Sequence, residues 1–67
     1  MRRRQECWLI KRVDDGTLYY LQWFSAIRGE ATWNCNLTSA RIYTSKEVAD
    51  NIATRVGGEA SHAWVAT

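Results

Sequence analysis

The side chains with the most reactive chemistry in this 67-residue chain are Cys7, Cys35 and His62. A zinc site or a thiol nucleophile activated by imidazole uses these residue types. Their spacing supports neither, because there is no CxxC pair and nothing places a carboxylate beside His62 to orient it. We therefore expect no metal, no cofactor and no enzymatic activity, with His62 at the surface. Two thiols without a secretion signal favour free cysteines over a disulfide.

A second chemical pattern is positive charge near an aromatic ring. The basic cluster consists of Arg2, Arg3, Arg4, Lys11 and Arg12. Basic residues beside Trp8 would bind single-stranded nucleic acid by charge and stacking, which makes a small nucleic-acid-binding accessory module the alternative function. The simpler interpretation is a flexible, solvated basic arm over residues 1–6. Without Arg2, Arg3 and Arg4 the chain keeps six basic and seven acidic residues, a net charge of −1, so the remainder is near neutral.

The elements that must position these side chains begin with strands. The segments with strand composition and alternation are 7–13, 17–24, 31–35 and 62–66. Asp15-Gly16 joins the first two as a tight hairpin, because both residues tolerate positive φ. Residues 41–43 are a further short strand or an extended approach to the next element.

The segment 17–24 is apolar on both sides. Strict alternation would place Tyr20 and Phe24 on one face, and Tyr19 and Trp23 on the other. A strand of this kind predicts a sheet that needs cover on both faces.

A helix over residues 45–56 is the element with the strongest local signals. Thr44 and Glu47 have the spacing of a capping box, and Gly57 provides a left-handed stop. The apolar stripe consists of Val48, Ala49, Ile52, Ala53 and Val56, and we predict packing through Val48, Ile52 and Val56. The predicted fold class is α+β with two layers: an antiparallel sheet of 3–4 strands and one amphipathic helix, in the order ββ(β)αβ. Residues 7–67 form a single small domain.

One helix covers one face of a sheet, so aromatic side chains should remain on the other. The predicted protein-binding residues are Trp8, Tyr19, Tyr20, Trp23, Trp33 and Trp64. Exposed apolar patches mark interaction sites, and Trp and Tyr are common interface anchors. Three alternatives stay open: the 25–40 loop closes the face as a second small core, the face forms a homodimer, or it binds a different protein.

The longest apolar runs are too short for a signal peptide or a membrane span. After MRRR the chain continues with Gln5-Glu6 rather than with an apolar segment. We therefore expect a cytoplasmic protein with no membrane partner.

Several segments together resemble a class of very small phage and prophage proteins. They are WLIKR at 8–12, DGTLYYL at 15–21, Trp33 and ARIYTSKEVA at 40–49. In that class an aromatic hairpin precedes an A-R-x-[YF]-T-S-K-E-x-A junction between strand and helix. The resemblance implies an anti-defence factor of the anti-CRISPR kind, which blocks a host protein complex such as CRISPR–Cas in the bacterial cytoplasm. It assigns no functional residue. Factors that mimic DNA are usually acidic and this chain is not, so steric protein–protein contact is the expected mode.

Overall fold

The structure, a computed structural model, describes residues 4–66 and contains one sheet and one α-helix. The elements are β1 (Arg4–Asp14), β2 (Thr17–Ser25), β3 (Glu30–Asn34), a 3₁₀ turn (Leu37–Ser39), α1 (Lys46–Val56) and β4 (Glu59–Ala66). The sheet is antiparallel with the strand order β3-β2-β1-β4. The two-layer α+β class predicted from the sequence is therefore confirmed.

The hairpin between β1 and β2 forms at the predicted turn. Asp15 and Gly16 both have positive φ, at 52° and 79°, as a two-residue hairpin turn requires. Strand β1 begins at Arg4, earlier than the predicted start at residue 7, because it pairs with β4 from Arg4 to Lys11. Residues 4–6 of the predicted arm thus belong to the sheet, and residues 1–3 lie outside the described residues.

A β-bulge in β2 changes which side chains share a face. Leu21 pairs with Trp33 and Trp23 pairs with Thr32, which leaves Gln22 as the extra residue. A bulge of this kind interrupts the alternation of side chains by one position. The predicted grouping of Trp23 with Tyr19 is therefore wrong. Trp23 lies on the face of Tyr20, while Phe24, which the sequence predicted beside Tyr20, packs against the core on the helix side.

Strands β1 and β2 diverge after a short paired region, and a later segment fills the fork between them. The two strands pair only between Lys11–Asp14 and Thr17–Tyr20. Beyond this point Tyr43 exchanges backbone hydrogen bonds with Trp8, at 2.8 and 2.9 Å. The N–H of Arg41 donates to the carbonyl of Leu21 at 2.9 Å. The segment 41–43, predicted as an extended approach, thus lies between β1 and β2 and is hydrogen-bonded to both strands.

The α1 helix differs from the prediction at its start and on its buried face. Its N-cap is Ser45, not Thr44, and the Ser45 hydroxyl accepts from the N–H of Val48 at 3.4 Å. Glu47 therefore falls one position short of closing a capping box. The fully buried positions are Ala49 and Ala53, whereas Val48 is 46% exposed. Small side chains allow a close approach of the helix to the sheet, and that rotates Val48 out of the contact.

The helix ends at the predicted left-handed stop, where Gly57 has a φ of 73°. The core that α1 covers is centred on Ile10, Leu21 and Ala53. Ile52 and Val56, two residues of the predicted stripe, are partly buried against it. Within residues 4–66 no helix is long and apolar enough to cross a membrane.

Candidate protein-binding surface

An exposed tryptophan stands beside an arginine and a tyrosine at the fork between β1 and β2. Trp23 is 54% exposed. The guanidinium carbon of Arg41 lies 5.0 Å from the centroid of the Trp23 ring and 5.6 Å from that of Tyr43. Both distances are within the range of cation–π attraction. We call Trp23, Arg41 and Tyr43 the fork cluster.

Two backbone features position the fork cluster. The bulge at Gln22 turns Trp23 away from the helix-covered core. The bond from the Arg41 N–H to Leu21 then fixes the arginine next to β2. Because the backbone and the cation–π contact both restrain these side chains, they lose less conformational freedom when a partner binds.

Burial, and not the charge of the cluster, favours the neutral form of Tyr43. Burial raises the pKa of the Tyr43 hydroxyl above its ordinary value of 10.0, and the positive charge of Arg41 opposes that rise. A neutral phenol and a cationic guanidinium therefore stand side by side at physiological pH. This pair offers a partner an aromatic ring and a cationic donor group from one point on the surface.

Tyr43 is paired with Trp8 and packs against the core on the helix side, whereas Trp23 and further exposed apolar side chains lie on the opposite sheet face. Val13 is 68% exposed and Leu18 is 39% exposed, and the two are paired across β1 and β2. Tyr20 is half-buried on the same face. Further along the chain, Leu37 and Ile42 are also exposed. The face therefore retains exposed apolar area, as the sequence predicted for the side without the helix.

Part of this face is covered by the segment that precedes α1. An apolar cavity of about 260 Å³ lies between this segment and the strands β1 and β4. Its lining includes Cys7 and Leu9 from β1, and Leu37 and Ile42 from the covering segment. The 25–40 loop thus closes the face only partly. Cys7 is buried beneath the covering segment, whereas Trp23 stays exposed.

The predicted aromatic residues do not form one surface. Tyr20 and Trp23 lie opposite the helix, whereas Tyr19, Trp33, Trp8 and Trp64 lie on the helix side. Trp33 is half-buried and packs against the core. Trp64 is 56% exposed, but it belongs to β4, at the other edge of the sheet from β3. Of the predicted set, only Tyr20 and Trp23 lie on the sheet face opposite the helix, and only Trp23 belongs to the fork cluster.

His62 and the two cysteines share no site: His62 lies on the helix side of the sheet, whereas Cys7 lines the apolar cavity on the other face. His62 is exposed, as predicted, and its Nε2 lies 2.7 Å from Oε1 of Glu6. Cys7 is buried and Cys35 is exposed, and both are free thiols. Within the described part of the chain, no group of three or more His, Cys, Asp or Glu residues could hold a metal ion.

The basic residues proposed for the alternative function are dispersed by β1. Arg4 begins the strand, while Lys11 and Arg12 lie near its other end on opposite faces. Arg12 pairs with Asp14 at 3.3 Å and lies 4.9 Å from the ring centroid of Trp33. The described members of the cluster thus form no continuous basic surface, and Arg2 and Arg3 lie outside the described residues.

Sequence reasoning missed Arg41, Val13, Leu18, Leu37 and Ile42 as surface residues. The sequence pattern places Arg41 only in the approach to the helix, and its position depends on a backbone bond to a strand 20 residues earlier in the chain. Alternation along 7–13 places Val13 on the other face from Trp8, but it does not determine which face the helix covers.

Comparisons of the chain with family models, curated proteins and solved structures give no match. Its function is therefore inferred from the surface chemistry of the described residues and from the resemblance given above.

Proposed function

We propose that this chain is a small protein-binding module that acts by steric contact and without catalysis. Its partner is a host protein complex of the bacterial cytoplasm, and the module is a phage-encoded inhibitor or adaptor that blocks a defence system such as CRISPR–Cas. The observation that carries the binding role is the exposed ring of Trp23, held by Arg41 beside Tyr43. The anti-defence role rests on the resemblance to small phage proteins.

The composition of the fork cluster supports a role in protein binding. Trp, Tyr and Arg are the residue types most enriched among those that dominate binding energy at protein interfaces. Burial of a ring such as Trp23 in a partner's pocket contributes about 2 kcal/mol or more. Tyr20 lies on the same sheet face as Trp23, and Val13 and Leu18 add exposed apolar area at the hairpin end of that face.

Charge supports contact with protein rather than mimicry of nucleic acid. The formal net charge is +2 and drops to −1 without the first three arginines. A polyanionic mimic needs a strongly acidic surface, which this composition does not supply.

A phage plating assay tests the proposal. Cells with an active CRISPR–Cas system and a matching spacer are challenged with the targeted phage, with and without expression of the chain. We expect expression to restore plating, and we expect Trp23→Glu to abolish the effect. Val48→Glu is the matched control, because Val48 is similarly exposed but lies on α1 and is not a member of the fork cluster.

The same variants serve in a cross-linking experiment with purified defence complex. The wild-type chain and Val48→Glu should cross-link to a subunit of that complex, and Trp23→Glu should not. If plating stays low with every variant, including the wild type, the target is not that defence system. Equal activity of Trp23→Glu and Val48→Glu would exclude the fork cluster as the binding surface.

A further inference from the structure

The outer edge of β4 is open along its length. Strand β4 has eight residues and pairs with β1 in unbroken register from Arg4↔Ala66 to Lys11↔Glu59. Among residues 4–66 no strand pairs with its other side. An open edge presents backbone N–H and C=O groups that can pair with another strand.

The two edges of the sheet are not equivalent. Strand β3, at the opposite edge, has five residues and lies against the bulge in β2. Strand β4 is longer and has no bulge along its pairing with β1. Neither edge strand contains Lys, Arg or Pro, so length and regularity distinguish the two. Short edge strands and bulges keep an edge from pairing, and β4 has neither feature, so β4 is the edge suited to a partner strand.

The hydrogen bonds of Trp8 show which backbone groups face the open edge. Trp8 directs its N–H and its C=O to Tyr43, on the side away from β4. Trp8 stands opposite His62 in the register. Because the backbone groups of Trp8 point to Tyr43, Trp8 and His62 exchange no hydrogen bonds with each other. The N–H and C=O of His62 therefore point away from β1, towards the open edge. Alternation along the strand gives Ala60 and Trp64 the same outward direction.

We propose that β4 pairs with β4 of a second copy of this chain, antiparallel and with a two-fold axis at Ala63. In this register His62 stands opposite Trp64 of the second copy, and the outward backbone groups of the two residues exchange hydrogen bonds. Two sheets then join into one continuous sheet, with both helices on the same face.

Aromatic contacts favour the register centred on Ala63. His62 already contacts Trp64 of its own chain, with ring centroids 5.0 Å apart and an interplanar angle of 65°. Pairing about Ala63 adds the second copy's Trp64 to the other side of His62. The Trp64 ring, which is 56% exposed in the single chain, is then covered by the equivalent residues of the second copy. Centring on His62 or on Trp64 would instead place identical rings opposite each other.

The dimer edge is separate from Trp23 of the fork cluster. Trp64 lies on the helix side of the edge strand, whereas Trp23 lies on the opposite face and near the other edge. A dimer of this kind presents two copies of the fork cluster, so binding of a partner and self-association can be disrupted independently.

Sedimentation of the full chain over a range of concentrations tests the proposal. We expect a monomer–dimer equilibrium, and Trp64→Lys should weaken it by roughly tenfold or more, because it removes an aromatic anchor and adds a cation at the edge. Trp23→Lys is the matched control, since Trp23 has nearly the same exposure. It should leave the equilibrium unchanged. A wild-type chain that sediments as a monomer throughout would overturn the proposal, as would equal effects of the two substitutions.

A disulfide tests the register itself. In a Cys7→Ala, Cys35→Ala background, Ala63→Cys places two thiols across the proposed axis, in a pair with Cα atoms about 4.5 Å apart. That distance is compatible with a disulfide. Mild oxidation should therefore give covalent dimers. Ser61→Cys is the control, because Ser61 would face Val65 of the second copy. Cross-linking of Ser61→Cys as fast as Ala63→Cys would exclude this register. Circular dichroism of each variant verifies folding.

Discussion

Gly58 lies against the ring of Trp33: a Cβ added to the glycine would be 3.0 Å from Cη2 of the indole. The same atom would be 2.9 Å from the carbonyl oxygen of Lys11. A backbone atom cannot move aside as the end of a flexible side chain can. The turn from α1 into β4 therefore has room for glycine alone, and this contact brings the end of the helix close to the sheet.

Gly58→Ala should destabilise the fold by about 1–3 kcal/mol, the usual cost of an added methyl group in a packed site. Urea unfolding of the two proteins measures the difference. Gly29→Ala gives a separate comparison: Gly29 has a φ of 66° and no atom within 4 Å of an added Cβ, so that variant measures backbone strain without crowding. An unchanged midpoint for Gly58→Ala would mean that the helix and sheet are further apart than the structure indicates.

The helix should be sensitive at Ile52 and insensitive at Val48. Ile52 packs against the core, and its truncation in Ile52→Ala should cost about 2 kcal/mol. Val48 is 46% exposed, so Val48→Ala should stay within about 0.5 kcal/mol of wild type. Thermal and urea unfolding of both variants provide the values. A larger loss of stability for Val48→Ala than for Ile52→Ala would mean that Val48, as the sequence predicts, packs against the sheet.

Neighbouring residues of β2 should respond in opposite ways to a charge. Phe24 packs against the core and Trp23 is exposed, because the bulge at Gln22 sets their directions. Phe24→Glu should unfold the chain, since it buries an unpaired carboxylate. Trp23→Glu should keep the circular dichroism spectrum and cooperative melting of the wild type. Loss of the fold in Trp23→Glu with a folded Phe24→Glu would contradict the bulge.

Tyr43 should lower stability at alkaline pH. Burial raises the pKa of Tyr43 above 10.0, whereas the unfolded chain ionises near that value. Its contribution is therefore complete below pH 10.0 and is lost as pH rises through the pKa of the folded state. Urea unfolding at increasing pH should show a steeper loss for wild type than for Tyr43→Phe. All other residues are the same in the two proteins, so parallel losses would mean that Tyr43 titrates alike in the folded and unfolded states.

The alternative function makes a prediction of its own about salt. If Arg2, Arg3 and Arg4 bind nucleic acid, retention on a single-stranded DNA column should fall steeply with salt, because neutralised phosphates release counterions. Deletion of residues 2–4 should then abolish retention, and the double variant Lys11→Ala, Arg12→Ala should have a smaller effect. Retention that survives the deletion would exclude the arm as the binding element.

The local signals predicted the elements well where a few adjacent residues determine the backbone. Asp15-Gly16 and Gly57 adopt the positive φ expected of them, and the hairpin and the end of α1 follow from that. The alternation of β1 held as well, because pairing with β4 keeps that strand regular along most of its length. In these cases the deciding interactions lie within a few residues or repeat along a regular ladder.

The remaining features depend on contacts between distant parts of the chain. The bulge at Gln22 accompanies the bond from Arg41 to Leu21, and no local pattern in β2 announces that bond. The shift of the N-cap to Ser45 follows a backbone pairing between Tyr43 and Trp8 that determines where the helix can begin. The fork cluster combines both effects, so the sequence indicated Trp23 but not Arg41.

The pairing of β1 with β4 also determines the order in which the chain can fold. Strands β1, β2 and β3 are joined by short turns, so their pairing closes only short loops. Strand β4 must instead find β1 across nearly the whole chain, and Tyr43 must reach Trp8 across more than half of it. Closing long loops costs entropy before the contacts repay it, and folding slows as contacts become less local. Folding should therefore begin with the meander of the first three strands. Addition of β4 is then the late step, and until it occurs Cys7 and Ile10 remain on an unprotected strand edge.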